Sequence, residues 1–423
     1  MPAGLCCPST HCRAATLPRP WVGYDLRFRT GGGTSTMTAV MLAERGCKPM
    51  SHTGRELRST VSDGVLRLTL EEVVTGDLAP DEIVVRVEAA PINPSDLGLL
   101  LGPADMASMR SEGSSDRPAL AFDIPEARRA SVSARLGQSL SVGNEGAGTV
   151  VAAGEQARDW IGRCVGMVGG GMYADLRKIR TRDALPLPKG VAAAEGAALT
   201  VNPLTALGFV ETARAEGHTA IVHTAAASSL GQMLQKICAS DGIPLVNIVR
   251  SAEQVQLLRD IGASIVLNSR DADFRAQLVD AVSATGATVA FDAIGGGSLG
   301  SDIMRAMERG AVNRMTEYSR YGSSSFKQLY VYGALDLSPM VLDRLAFGFQ
   351  WSVSGWLLTP FLQKAGAETV MRLRKRVFDE LTTTFATHYT RAIGLSEALE
   401  PEILRAYERK ATGEKFLINP TLD

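Results

Sequence analysis

The chain has 423 residues, 45% of them hydrophobic and 21% charged, with a formal net charge of -1 at pH 7. That is room for two domains around large cores, and the near-neutral charge gives no electrostatic case for a nucleic acid or an anionic membrane as partner. No apolar run is long enough to span a bilayer. The six cysteines, Cys6, Cys7, Cys12, Cys47, Cys164 and Cys238, suggest neither a disulfide framework nor a zinc site, and the setting reads as reducing and cytoplasmic.

Residues 1–49 are rich in Pro, Gly, Thr and Arg, lack periodicity, and read as a disordered or misassigned extension. Arg13, Arg19, Arg27 and Arg29 superficially resemble an organelle transit peptide. A start placed too far upstream, with Met37, Met41 or Met50 the real one, is the preferred reading.

Residues 50–199 read as a β-rich domain. Leu66, Leu68 and Leu70 alternate with polar neighbours, and Ile83, Val84, Val85 and Val87 form a second run. Pro91-Ile-Asn-Pro-Ser-Asp96 is a loop feeding a short helix, Leu97 to Leu101. Gly143-Asn-Glu-Gly-Ala-Gly148 leads into a strand, and its glycines permit close backbone passage. Short strands between turns imply a small barrel-like domain. Residues 103–137 interrupt this pattern as a long loop, equally a cap over an active-site mouth or a tolerated surface insertion.

Residues 200–345 carry a strand-turn-helix-strand unit. The apolar run Ala220 to His223 enters a turn whose residues, Ala226, Ala227, Ser228, Ser229, Leu230 and Gly231, are almost all small. Phosphate oxygens need such a turn, because they must reach backbone N–H groups at a helix N-terminus. The second strand ends in Arg250 and Ser251, where a guanidinium beside a hydroxyl suits a 2′-phosphate, so NADPH is favoured over NADH. Helices at Ala252 to Ile261, Asp273 to Ala284 and Ser298 to Glu308 alternate with strands at Ser264 to Asn268, Thr288 to Ile294 and Leu329 to Leu335. A parallel sheet follows, with Ala226, Arg250, Asn268, Ile294 and Gly333 along the edge where ligands bind. His223, on the first strand, reads as a core histidine, and His218 as exposed. After Pro339 the chain is expected to turn helical, and residues 346–423 to return to the first domain through a strand, Lys415 to Ile418.

The order of these elements resembles the medium-chain dehydrogenase/reductase superfamily, in its zinc-free quinone oxidoreductase and enoyl reductase branch. The resemblance rests on the Asn-Pro-Ser-Asp loop, Gly143-Asn-Glu-Gly-Ala-Gly148, Thr200-Val-Asn-Pro-Leu-Thr205, the small-residue turn, Asn247-Ile-Val-Arg250 and Gly413-Glu-Lys-Phe-Leu417. It implies an α/β protein: a GroES-like domain made from both ends of the chain, with an inserted Rossmann domain and a cleft between them. It further implies NADPH as hydride donor and a small-molecule electron acceptor, a quinone or an α,β-unsaturated carbonyl. Asn93 would lie near the nicotinamide, Ser95 or Asp96 would orient it unless Asp96 merely caps its loop, and Thr200, Asn202, Thr205 and Lys415 would line the cofactor. Gly295 would stand with Ile294 at the sheet edge, and Gly333, Ala334 and Leu335 would meet the carboxamide. Zinc-using relatives carry Gly-His-Glu where this chain has Gly143-Asn144-Glu145, so no metal is expected. The tyrosine that enoyl thioester reductases carry after the Asn-Pro-Ser-Asp loop is missing, and Tyr173 is the nearest later candidate, against a packing role. The alternatives are an enoyl thioester reductase and a non-catalytic NADPH sensor. Relatives of this kind commonly form homodimers.

Overall fold

Leu57, Val61, Leu66 and Leu68 alternate with polar neighbours, and all four are completely buried. Their register, Leu57 opposite Leu70, Ser59 opposite Leu68 and Val61 opposite Leu66, places one face of a hairpin in the core, as period-two alternation demands. The computed structural model describes residues 51–114 and 117–423. The expectations for residues 1–49 lie outside the described residues. In chain order the first domain contains Thr53–Ser62 (β1), Val65–Val74 (β2), Glu82–Pro91 (β3), Pro94–Leu100 (α1), Arg110–Ser114 (β4), Arg117–Asp123 (β5), Ser139–Ser141 (β6), Glu145–Ala153 (β7), Cys164–Val168 (β8), Leu176–Arg180 (β9) and Ala184–Pro186 (β10). One sheet runs β4-β5-β2-β1-β6, and a second is organised around β3, β7 and β8.

The expected long loop over residues 103–137 is corrected. It forms the β4–β5 hairpin, which extends the first sheet by pairing with β2, followed by a 3₁₀ segment, Glu126–Arg135. Leu120, Phe122, Ile124 and Val132 enter the first domain's core. Arg135 donates to the carbonyls of Leu99 and Ser59 at 3.0 and 3.1 Å, meeting the otherwise orphaned carbonyl end of α1. The hydrophobic alternation of this stretch is short and broken by charges, which hid it from a periodicity reading.

The second domain begins with Ala193–Gly196 (α2) and Val201–Ala215 (α3). It continues as Ile221–Thr224 (β11), Ser229–Asp241 (α4), Leu245–Val249 (β12), Ala252–Asp260 (α5), Val266–Asn268 (β13), Phe274–Thr285 (α6), Val289–Asp292 (β14), Leu299–Val312 (α7), Lys327–Val331 (β15), Trp351–Gly355 (β16) and Leu358–Asp379 (α8). The sheet is parallel, in the order β13-β12-β11-β14-β15-β16. One core, with α3, α4 and α8, covers one face, and a second, with α6 and α7, covers the other. The helical expectation after Pro339 and the boundary at 345 are therefore corrected: Trp351–Gly355 is a sixth strand, in register with β15, and α8 packs on α3. Its sequence, Trp-Ser-Val-Ser-Gly, is too short to separate strand from helix by period.

The chain then adds Arg391–Ile393 (β17), Pro401–Glu408 (α9) and Phe416–Ile418 (β18). β18 pairs antiparallel with β3, Leu417 opposite Pro91 and Ile418 opposite Ala90. Among the described residues no helix is long and apolar enough to cross a membrane.

Candidate active site

The parallel sheet presents Asn268, Arg250, Ala226, Ile294 and Gly333 in that order along its carboxyl edge, each just at or beyond the end of its strand. In the first turn, Ala226 and Ala227 are buried and Ser228 caps α4, its hydroxyl accepting the Gly231 N–H at 3.1 Å. A Cβ on Gly231 would stand 2.2 Å from the Ala226 carbonyl oxygen, so only glycine lets the helix start this close to the turn. Two further glycines keep the edge open: a Cβ on Gly295 would meet the Gly333 carbonyl, and one on Gly333 the Ala293 carbonyl, each at 2.6 Å. Buried Asp292 fixes the turn after β14, accepting the Thr224 hydroxyl at 2.6 Å and the amides of Ile294 and Gly295 at 3.0 and 3.1 Å.

Arg250 is exposed, and its guanidinium makes no hydrogen bond or ion pair among the described residues, leaving its donors to solvent. Its amide donates to the Gln254 side chain at 3.0 Å, and Gln254 in turn donates to the Thr412 hydroxyl at 2.7 Å, a link to the loop before β18. Ser251 caps α5. The Asn268 side chain serves its own loop, bonding Asp271 and the Arg270 amide.

At the junction between the two domains lies a buried polar network. Asn93 Nδ2 donates to Glu145 Oε1 at 3.0 Å, while Asn93 Oδ1 accepts from Lys415 Nζ at 3.2 Å and from Asn202 Nδ2 at 3.4 Å. The other Glu145 oxygen accepts the amides of Thr200 and Val201, both at 2.8 Å, at the start of α3. Every member is nearly buried: Glu145 and Asn93 are 0% and 1% exposed, Asn202 and Lys415 8% and 9%. The network fixes which way the Asn93 amide faces, since its nitrogen must meet the carboxylate and its oxygen the ammonium. Burial pushes the Glu145 carboxyl upward against the Val201 and Thr200 amides and the Lys415 charge. The same burial pulls the Lys415 ammonium downward against Glu145 and Asp96.

Thus Asn93, Thr200, Asn202 and Lys415 come together, and Thr205 lies buried further along α3. Glu145, which holds the Asn93 side chain and the Thr200 and Val201 amides, is not among the sequence candidates; a carboxylate in a glycine-rich segment at a strand start is the available signal. Asp96 serves the backbone, accepting the Asn93 and Asn144 amides at 2.8 Å each, and burial raises its carboxyl to about 7. Ser95 is exposed and accepts from Asn144 Nδ2 at 3.1 Å. Tyr173 is completely buried, with its hydroxyl on the Pro91 carbonyl and Gly143 packed against its ring, an arrangement that suits the packing role. Ala334 and Leu335 are exposed beyond β15. His223 is buried against the Tyr332 hydroxyl, and burial lowers its imidazole to about 3, which fits a neutral core residue. His218, expected to be exposed, is corrected: its side chain is 5% exposed and bonds Thr288.

The molecule combines a barrel-like domain, to which β18 returns, with an inserted parallel sheet covered on both faces, and solved reductase structures share this fold. No family model matches the sequence. Over 213 residues the chain is 30% identical to a mitochondrial enoyl-[acyl-carrier-protein] reductase of Xenopus tropicalis, covering 47% of this chain and 51% of the relative. A rat protein of the same description is 24% identical over 200 residues, 45% of this chain and 46% of the other. The chain thus spans about half the length of the curated relatives it matches. Among solved structures, a Mesorhizobium loti protein assigned as an NADPH:quinone reductase superposes with a TM-score of 0.64 at 24% identity, covering 88% of this chain and 99% of that one. An enoyl thioester reductase from Candida tropicalis, in mutant form, gives 0.61 at 18% identity, covering 87% and 100%.

Proposed function

We propose that this protein is an NADPH-dependent reductase that delivers hydride to a conjugated small-molecule acceptor, a quinone or an α,β-unsaturated carbonyl, without zinc. The observation that carries the reading is the buried Asn93, Glu145, Lys415 and Asn202 network at the start of α3, in the same molecule as an edge of small residues with Arg250 on it, unpartnered among the described residues. The edge fits the cofactor: Gly231, Gly295 and Gly333 each keep open a space that a Cβ would fill. The Ala226 to Gly231 turn would hold the pyrophosphate and Arg250 with Ser251 the 2′-phosphate. Asn93, Thr200 and Asn202 would border the nicotinamide, and Gly333 to Leu335 its carboxamide. When bound, NADPH supplies the hydride; the protein orients the reactants and excludes water. At the position of the zinc-using relatives' histidine, Asn144 bonds Ser95, and an amide is a poor zinc ligand.

The curated relatives' description favours an enoyl thioester as the second reading. Assaying NADPH oxidation with quinones, alkenals and enoyl thioesters side by side separates the two. Tight NADPH binding with no acceptor reduced would leave a sensor instead. A homodimer through β16 is supported by that strand's free edge and by exposed Tyr321 and Phe349, whose rings lie 6.3 Å apart before it. A cytoplasmic location rests on the cysteine pattern.

A further inference from the structure

We infer that Asn144 and Ser95 form the donor pair that holds the acceptor's carbonyl oxygen as negative charge gathers on it. This deepens the reductase reading and rests on it. The segments carrying Asn93 and Glu145 meet twice. In the interior, Asn93 Nδ2 donates to Glu145 Oε1. Toward the surface, their near neighbours in the chain meet again, with Asn144 Nδ2 donating to Ser95 Oγ at 3.1 Å. Asp96 fixes the spacing of the two meetings, accepting the Asn93 amide on one oxygen and the Asn144 amide on the other, each at 2.8 Å. The nicotinamide end thus falls to Asn93, and Ser95 is left to the acceptor.

The surface meeting is the one an acceptor can touch. Asn93, Asp96, Glu145, Tyr173, Asn202 and Lys415 are all buried, and the Tyr389 hydroxyl, although it has no hydrogen-bond partner, is buried as well. Thr200 is half-buried and belongs to the cofactor in the reading above. Ser95, by contrast, is exposed, and Asn144 is half-buried. Because Ser95 Oγ accepts from Asn144, its own hydrogen points elsewhere, and among the described residues nothing accepts it. The second hydrogen of the Asn144 amide is equally unclaimed there. Beside the pair, the Asn144 carbonyl accepts the amides of Gly169 and Gly170 at 3.3 and 3.4 Å, and a Cβ on either glycine would meet nothing within 4 Å. Two unspent donors therefore border open space, on a backbone held by Asp96 from one side and by the glycine loop from the other. Donors fixed in advance stabilise a developing oxyanion without having to reorganise.

The step balances without either residue giving up a proton. Hydride from the bound cofactor adds to the β-carbon of the enone, and the π electrons move to the carbonyl oxygen. That oxygen accepts from the Ser95 hydroxyl and the Asn144 amide while it carries the charge. Water then delivers a proton to the α-carbon, the carbonyl re-forms, and the hydroxide left behind passes to bulk solvent. With a quinone, the pair holds the oxygen that gains the charge, and the proton from water goes to that oxygen.

The test compares wild type with Asn144→Leu, Ser95→Ala and Ser95→Thr. It uses 2-alkenals and quinones as acceptors, fluorescence titration for NADPH binding, and infrared difference spectra of a carbonyl-labelled 2-alkenal bound together with NADP⁺. Asn144→Leu and Ser95→Ala are each expected to lower kcat about 100-fold and to hold the NADPH Kd within about 3-fold. Ser95→Thr, which keeps the hydroxyl, is expected to stay within about 10-fold of wild-type kcat. Away from turnover, the carbonyl stretch of the bound alkenal is expected at lower frequency in wild type than in Asn144→Leu or Ser95→Ala, a difference that a merely structural pair would not produce. Ser95 is exposed, so Ser95→Ala carries the test should Asn144→Leu fail to fold. Unchanged kcat at saturation in Ser95→Ala, or a carbonyl stretch that the substitution does not move, would overturn the assignment. So would wild-type kcat with NADPH bound more than about 10-fold more weakly, which would give the pair to the cofactor. If folded wild type binds no NADPH, the reductase reading itself falls, and the assignment with it.

Discussion

Asn93 and Glu145, 52 residues apart, are joined by a 3.0 Å hydrogen bond in which the amide nitrogen donates to a carboxylate with no exposed surface. The same carboxylate holds the first amides of α3. One side chain therefore sets both the presentation of Asn93 and the position of the helix beside it.

Replacing Glu145 by Ala strands three donors and leaves Lys415 without its nearest buried counter-charge. Uncompensated buried groups of this kind cost about 3–5 kcal/mol, so urea denaturation should show a loss of that order. Glu145→Gln, which retains one acceptor oxygen, should cost about 1–3 kcal/mol and lower turnover more than NADPH affinity. Equal stability of Glu145→Ala and wild type would remove the network from any organising role.

Arg250 tests the cofactor. Its exposed guanidinium should form charge-assisted bonds with a 2′-phosphate, worth about 1.5–3 kcal/mol. Arg250→Ala should therefore weaken NADPH about 10- to 100-fold and leave NADH within about 2-fold. Indifference to the substitution, together with equal affinity for the two dinucleotides in wild type, would exclude the assignment.

Sequence periodicity revealed the parts of the fold whose apolar residues repeat regularly. β2, β3 and the βα units from β11 to α7 are of this kind, and the residues from Asn268 to Gly333 along the carboxyl edge follow from them. It failed for β4, β5 and β16, whose five to seven residues become strands through pairing with distant partners. The site divided in the same way. Asn93, Asn202, Lys415 and Glu145 all stood in quotable motifs, but the part Glu145 plays shows only when β7, α3 and β18 meet around it. The burial of Tyr173 is likewise a tertiary property that sequence does not show, and its hydroxyl ends on a main-chain carbonyl.

The α4 turn depends on the absence of one methyl group. Gly231→Ala would place a Cβ 2.2 Å from the Ala226 carbonyl oxygen, a backbone atom with little freedom to retreat. Overpacking of this sort costs about 1–3 kcal/mol and would displace the N-terminal amides from a phosphate, so both the urea midpoint and NADPH affinity should fall. Ser228→Ala provides the contrast, losing a cap worth about 1 kcal/mol without a steric clash. A Gly231→Ala protein with wild-type affinity would mean that phosphate is held elsewhere.

Asp96 gives the site a pH signature whose sign can be fixed in advance. Burial raises its folded carboxyl to about 7 from an ordinary 3.8, against the opposing pull of the Asn93 and Asn144 amides. The folded protein therefore keeps a proton that the unfolded chain has lost, and the associated stability, complete below the ordinary value, is lost as pH rises through about 7. Glu145, also raised, acts with the same sign, while Lys415, lowered, acts against them. Wild-type stability alone thus mixes three groups, and the informative quantity is the difference from Asp96→Asn. That variant cannot ionise, keeps one acceptor oxygen for an amide, and should lose most of the decline in unfolding free energy between about pH 5 and about pH 8. Parallel urea-denaturation curves for the two proteins across that range would show that Asp96 is ionised throughout, and that the amides of Asn93 and Asn144 outweigh its burial.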